Sequence, residues 1–195
     1  MKSLKEIVRL NKQIRVIGFD DAPFNRKRGS PVNIAGIICS NTRFEGMIWG
    51  EIEKDGNDAT KTISRMLKQS KFFDQVSVIL TDGIAVGGFN IIDLKNLSIT
   101  LERPCIAVMR KKPDMEAIDN ALNHFSDYKE RMDMILKAGE IYIHNSFYYQ
   151  VAGCDNNTAA KVLERITDKG NVPEALRLAH MIGAAVINGQ SSNRA

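Results

Sequence analysis

Residues Val76–Asp93 read VSVILTDGIAVGGFNIID: an apolar run, an aspartate at its end, and a glycine-rich loop leading into the next element. An apolar run of this continuity fits a parallel strand covered on both faces. In open α/β sheets, ligands bind just beyond the carboxyl ends of the strands. Asp82 therefore stands where chemistry would be done, and the surrounding chain must supply what it works with.

The elements on either side set the topology. Ile14–Asp20 (IRVIGFD), Val32–Ser40 (VNIAGIICS) and Phe44–Lys54 (FEGMIWGEIEK) are three strands with short spacers, which predicts an antiparallel meander. Asp55-Gly56-Asn57-Asp58 breaks that pattern. Asp58 is placed to N-cap a helix running to about Gln69, with Ile63, Met66 and Leu67 on its buried face. Val76–Thr81 is the fourth strand, a helix follows near Ile91–Ser98, and Pro104–Met109 is the fifth strand. Asp114 caps a helix carrying Met115, Ile118, Leu122 and Phe125, and another helix lies near Asp127–Ala138. Glu140–Ala152, rich in β-branched and aromatic residues, supplies one or two short strands. Helices over Asn156–Thr167 and from Pro173 onward close the chain. A polar tail, Gln190–Ala195, is expected to fray, and residues Met1–Lys12 form an amphipathic lead-in.

The order β-β-β-α-β-α-β-α is that of a ribonuclease H-like α/β fold. The expectation is a mixed five-stranded sheet, three antiparallel strands and then parallel α/β units, flanked by helices and followed by a small C-terminal β/helical extension. In such a sheet the first and fourth strands are central neighbours. Asp20 and Asp82 then meet at adjacent strand ends, with the start of the Asp58 helix nearby. Three converging carboxylates repel one another unless one is protonated or a cation is bound. Hard oxygen ligands select Mg²⁺ or Mn²⁺, and two such ions support phosphodiester cleavage. Taken one by one, the same acids also have plain readings: a helix cap at Asp58, a turn at Asp82-Gly83, a solvated strand end at Asp20 or Asp21. The glycines at 83, 87 and 88 match neither a P-loop nor GxGxxG.

The formal net charge is +4, with clusters at Arg26-Lys27-Arg28 and Arg110-Lys111-Lys112. A solvated surface explains either cluster alone; both near the open end of one sheet would suit a phosphate backbone. No apolar run approaches the ~20 residues of a membrane helix, and MKSLKEIVRLNKQ is too charged for a signal peptide. Cytoplasm is the expectation. Cys39, Cys105 and Cys154 lack metal-ligand spacing and read as structural thiols.

The motifs GFDDAPF, DGNDAT, LTDGIAVGGFNIID, RPCIAVMRKKPD and GNVPEALRLAH span about residues 14–188. In them the chain resembles an archaeal family first catalogued as a domain of unknown function and later linked to endonuclease dU. It is also distantly similar to endonuclease V. The resemblance implies one endonuclease V-like domain over residues 1–195 and a divalent-metal-dependent endonuclease. Its substrate would be DNA carrying deaminated bases, uracil or inosine, in repair. It implies metal ligation by Asp20, Asp58 and Asp82, with Asp58 standing where endonuclease V has a glutamate. Arg110 falls where a lysine follows the fifth strand, implying contact with the scissile phosphate. His180, otherwise a surface helix residue, matches a late helical His or Asp that completes the metal site. His124 and His144 read as structural. The chain lacks the Pro-Tyr-Ile-Pro wedge of endonuclease V, and GIAVGGFN replaces a histidine-rich loop. Gly83, Gly87, Gly88, Phe89 and Asn90 are the candidate pocket for a flipped base, by stacking and amide hydrogen bonds. A non-catalytic nucleic-acid-binding protein of the same fold is the alternative. A nucleotide-binding phosphotransferase is a third reading, since actin-like ATPases and sugar kinases open on a strand resembling VIGFD; they use two such domains, and this chain supplies one.

Overall fold

The computed structural model describes residues 3–145 and 147–191, so most of the tail expected to fray lies outside the described residues. The chain opens with α1 (Leu4–Arg9), closed by a reciprocal capping box between Ser3 and Glu6. The meander follows as β1 (Arg15–Asp21), β2 (Pro31–Ser40) and β3 (Arg43–Glu53), paired antiparallel in sequence order. Next come α2 (Ala59–Lys68) and β4 (Val78–Asp82). The glycine-rich loop folds into a small hairpin, β5 (Ala85–Val86) and β6 (Asn90–Ile91). Two glycines at positive φ, Gly87 at 57° and Gly88 at 86°, make its turn, a conformation side chains rarely tolerate. The helix after the loop, α3 (Leu94–Leu101), starts later than expected because Asp93 is its N-cap, accepting the Asn96 N–H at 2.9 Å.

Then come β7 (Cys105–Met109), α4 (Met115–Leu122), α5 (Tyr128–Lys137), β8 (Tyr142–His144), β9 (Phe147–Ala152), α6 (Asn156–Arg165) and α7 (Glu174–Asn188). The main sheet has the order β3-β2-β1-β4-β7-β9-β8, with β1, β4 and β7 parallel. Among the described residues it has seven strands, two more than expected. The C-terminal β segment is a continuation of the main sheet, because β9 pairs antiparallel with β7 from Cys105↔Ala152 to Met109↔Tyr148. That pairing covers the edge of an apolar strand that would otherwise present open backbone groups.

Strand parity divides the core. Val16, Val78, Leu80, Ile106 and Val108 face α1, α6 and α7. Ile17, Phe19, Ile79 and Ala107 face α2 and α3. On the first face α7 presses against β1: a Cβ on Gly18 would sit 2.9 Å from the backbone of Ala175 and Leu176, and one on Gly183 would sit 3.2 Å from Ala22. Four strand residues advance about 13 Å, and the seven to eight helical residues between those contacts advance about 11 Å. α7 therefore runs alongside β1, and its middle lies over the strand's carboxyl end.

Candidate active site

The same parity aims the functional side chains. Asp20 follows Val16 and Gly18, and Asp82 follows Val78 and Leu80, so both project toward α7. Arg110, the residue after β7, lies near enough for its charge to act on Asp82 and His180. Parallel pairing at Phe19↔Thr81 sets Asp20 beside Asp82. From α7, His180 brings Nδ1 to 3.1 Å from Asp20 Oδ2. The other carboxylate oxygen of Asp20, which is 5% exposed, accepts the Asp21 N–H at 2.8 Å. Burial pushes the Asp82 pKa up to about 6, and the charge of Asp20 adds to this while Arg110 and His180 oppose it. His180 is raised above its ordinary value by its bond to Asp20, against the effect of burial. The structure thus brings together Asp20, Asp82, Arg110 and His180.

Asp21 projects from the opposite face, where its Oδ2 accepts the Gly87 N–H at 2.6 Å. Burial pushes it to about 6 despite that bond, and the charges of Asp20 and Asp82 add to the shift. It anchors the hairpin turn to the end of β1. The sequence signal for this was the doubled acid in GFDDAPF, since successive strand residues point to opposite faces.

Asp58 lies elsewhere, which corrects the expected triad. Its Oδ1 accepts the Glu53 N–H at 3.2 Å and the Asn90 amide at 2.6 Å, and Oδ2 lies 3.5 Å from Thr62 Oγ1. It is not the side-chain cap of α2 either; Asn90 Oδ1 accepts the first helical N–H, from Ala59, at 3.0 Å. Among the described residues, no three His, Cys, Asp or Glu side chains are placed to hold a metal ion together. What remains is the pair Asp20 and Asp82.

The expected base pocket is also redrawn. Asn90 is fully buried, and its amide is committed to Ala59, Asp58 and the Glu53 carbonyl at 2.8 Å. Gly87 is held by Asp21, and Gly88 packs so closely on the Asp55 carboxylate that a Cβ would collide with it. Gly83 and Phe89 do line a cavity of about 400 Å³, which is walled chiefly by Ile84, Met109, Ile118 and Ile135. Gln150, only 4% exposed, also lines it. Ile118 and Ile135 were unremarkable in the sequence because a helix's cavity-facing residues carry the same period as its core residues.

Arg131, on α5 and 3% exposed, ties this region together. Its guanidinium donates to the carbonyls of Asp55 at 2.9 Å, Gly56 at 3.0 Å and Phe89, and to Asp127 Oδ1 at 2.8 Å. It also lies 4.6 Å from the centre of the Phe125 ring, which packs edge-on against Phe89. Arg28 of the basic loop lies 4.8 Å from the centre of the same ring. Arg26, Lys27, Lys111 and Lys112 are exposed.

The family model for endonuclease dU matches residues 12–187. The chain belongs to the endonuclease dU family. A UPF0215 protein from Pyrococcus furiosus is 41% identical over 191 residues, covering 95% of this chain and 98% of that one. The crystal structure of an Archaeoglobus fulgidus protein superposes with a TM-score of 0.84 at 34% identity, over 89% of this chain and 98% of the other. Ciona intestinalis endonuclease V, solved with a DNA containing an inosine, superposes with a TM-score of 0.62 at 14% identity, over 92% and 88% of the two chains. The catalytic domain of human endonuclease V gives 0.63 at 13%, over 97% and 88%. At such identities the likeness is one of fold: the endonuclease dU family chain is a mixed α/β sheet of the endonuclease V, ribonuclease H-like type. Family membership supports a nuclease-like function. Among the described residues no helix is long and apolar enough to cross a membrane.

Proposed function

We propose that this member of the endonuclease dU family is a divalent-metal-dependent endonuclease that hydrolyses phosphodiester bonds in DNA at deaminated bases, uracil foremost. The observation that carries this reading is the placement of Asp20 and Asp82 on one face of adjacent strand ends, with Asp82 held at about 6 by burial and by its neighbour's charge. A divalent cation offsets both costs. The donor set fits Mg²⁺ or Mn²⁺, which bind through one or two carboxylates and complete their shells with water and substrate phosphate. Bound there, the ion would polarise the scissile phosphate and ease deprotonation of the attacking water.

The chain's own groups have separate tasks. Asp20 and Asp82 would hold the ion, and His180 fixes one oxygen of Asp20 through its Nδ1 proton. Arg110 presents a cation near Asp82, suited to a phosphate oxygen. Arg26–Arg28 and Lys111–Lys112 flank the strand ends and would follow the backbone of the nucleic acid. The apolar cavity beginning at Gly83, the residue after Asp82, has the size and lining to take an extruded base.

The convergence of only two acids among the described residues favours the second reading, a non-catalytic nucleic-acid-binding protein. Mn²⁺ titration followed by electron paramagnetic resonance separates the two. The catalytic reading expects one saturable site, at least about tenfold weaker in Asp20→Asn and Asp82→Asn and unchanged in Asp58→Asn, given that one pKa unit is worth 1.36 kcal/mol. Affinity should rise from pH 5 to 7.5, because the ion competes with the proton that Asp82 releases near 6. If no ion binds, the second reading stands; if Asp58→Asn weakens binding as much as Asp82→Asn does, Asp58 is a ligand and the pair Asp20 and Asp82 is not the whole site.

A further inference from the structure

We infer that Gln150 is the residue that recognises deamination, through a single hydrogen-bond acceptor aimed at the bound base. The inference rests on the proposal that a base enters the cavity beside Gly83, and adds what distinguishes one base from another there. The cavity walls named above are apolar, and Gln150 contributes a side-chain amide to them. It reaches the cavity from β9, where it pairs with Ala107 on the α2 and α3 face of the sheet, and it is almost wholly buried.

The orientation of this amide is set by its surroundings. Its Nε2 donates to the carbonyl of Gly139 at 2.9 Å, and that residue also lines the cavity. A carbonyl can only accept, so the nitrogen is fixed on that side and Oε1 is directed away from it. Oε1 accepts no hydrogen bond from any described residue, and it is not among the buried polar atoms sealed without a partner. It is therefore an oriented acceptor that a ligand can reach.

Deamination changes a base at one ring nitrogen in a way that such an acceptor detects. Cytosine has a lone pair at N3, and uracil has an N–H there. Adenine has a lone pair at N1, and hypoxanthine has an N–H. Facing Oε1, the deaminated base donates a hydrogen bond, while its parent sets lone pair against lone pair and leaves two buried acceptors unpaired. One acceptor thus reads the same chemical event in a pyrimidine and in a purine. Thymine and guanine share the ring N–H, so the discrimination assigned to Gln150 is against cytosine and adenine alone.

The test is binding by fluorescence anisotropy in EDTA, where no strand is cut. The probes are oligonucleotides carrying one uracil, one cytosine or one N3-methyluracil at the same position. Wild type should prefer uracil to cytosine, and N3-methylation should weaken its binding by about tenfold or more, the scale of one buried hydrogen bond. Gln150→Leu, similar in volume but without an acceptor, should lose at least tenfold of the uracil-over-cytosine ratio and should not respond to the methyl group. An unchanged ratio in Gln150→Leu, or wild-type binding that ignores either cytosine or the N3-methyl group, overturns the assignment. Should the variant fold poorly, wild-type binding that ignores the N3-methyl group still overturns the assignment. A failure to cleave DNA would sink the nuclease reading and leave these binding results to be judged separately.

Discussion

Arg131→Met is expected to lower folding stability by about 3–5 kcal/mol, the scale for removing one partner from a buried charged network. Methionine fills much of the arginine volume but supplies no donor. The carbonyls of Asp55, Gly56 and Phe89 and the Asp127 carboxylate then lose a shared partner at once. Each buried acceptor left unpaired costs about 1–3 kcal/mol, partly recovered where water enters. Arg131→Lys should recover only part of the loss, because an ammonium cannot reproduce the planar fork that serves several acceptors. Urea unfolding of the three proteins measures this. A cost below about 1 kcal/mol for the methionine variant would mean that the turn at Asp55–Gly56 and the Phe89 wall of the cavity are held by something else.

Asp82→Asn should act in the opposite direction on stability. The Asp82 carboxyl has a folded-state pKa of about 6 against an ordinary 3.8. A raised carboxyl contributes stability below the unfolded value and loses it as pH rises through the folded one. At pH 7.5 without metal, the folded protein therefore holds an ionised Asp82 at a cost of up to about 3 kcal/mol, at 1.36 kcal/mol per unit. Asparagine removes that cost, so the variant should be more stable than wild type by about 1–3 kcal/mol at pH 7.5 in EDTA. The gain should shrink through pH 6 and vanish near pH 3.8, where both side chains are neutral. Saturating Mg²⁺ or Mn²⁺ should narrow the gap at pH 7.5, since only wild type gains from binding. Chemical denaturation across that pH range follows all three changes. A destabilised Asp82→Asn at pH 7.5 would show that the strand ends are not under electrostatic strain.

What could be read from the sequence follows from how local each determinant is. The meander, the parallel strands and the adjacency of Asp20 and Asp82 came from the order of elements and the period of two within each strand. The placement of His180 beside Asp20 rested on a matched motif, because helical spacing alone marks it as a surface residue. Asp58 went astray for a specific reason. Its partner Asn90 is 32 residues away, and the loop that carries Asn90 read as open and glycine-rich when it is in fact a hairpin packed onto the Asp55–Asp58 turn. The strands expected over Glu140–Ala152 are present, but their place in the main sheet is not local information: edge pairing with β7 depends on which edge is open after the parallel units assemble. Arg131 and Gln150 look like ordinary surface residues in sequence; only the closure of α5, β9 and the hairpin around them makes both buried. The face that carries Asp20 and Asp82 was thus legible, while the cavity, assembled from loops, helices and β9, was not.

The central claim is that Asp20 and Asp82 support metal-dependent cleavage. Its most direct test is incubation of end-labelled strands, carrying one uracil, one inosine or no modification, with Mg²⁺ or Mn²⁺, comparing wild type with Asp82→Asn. The expected result is a single cut near the deaminated base, absent in EDTA and reduced at least about a thousandfold in Asp82→Asn, the loss of roughly 4 kcal/mol of transition-state stabilisation. Cutting that persists in EDTA, or that Asp82→Asn carries out as well as wild type, would contradict it.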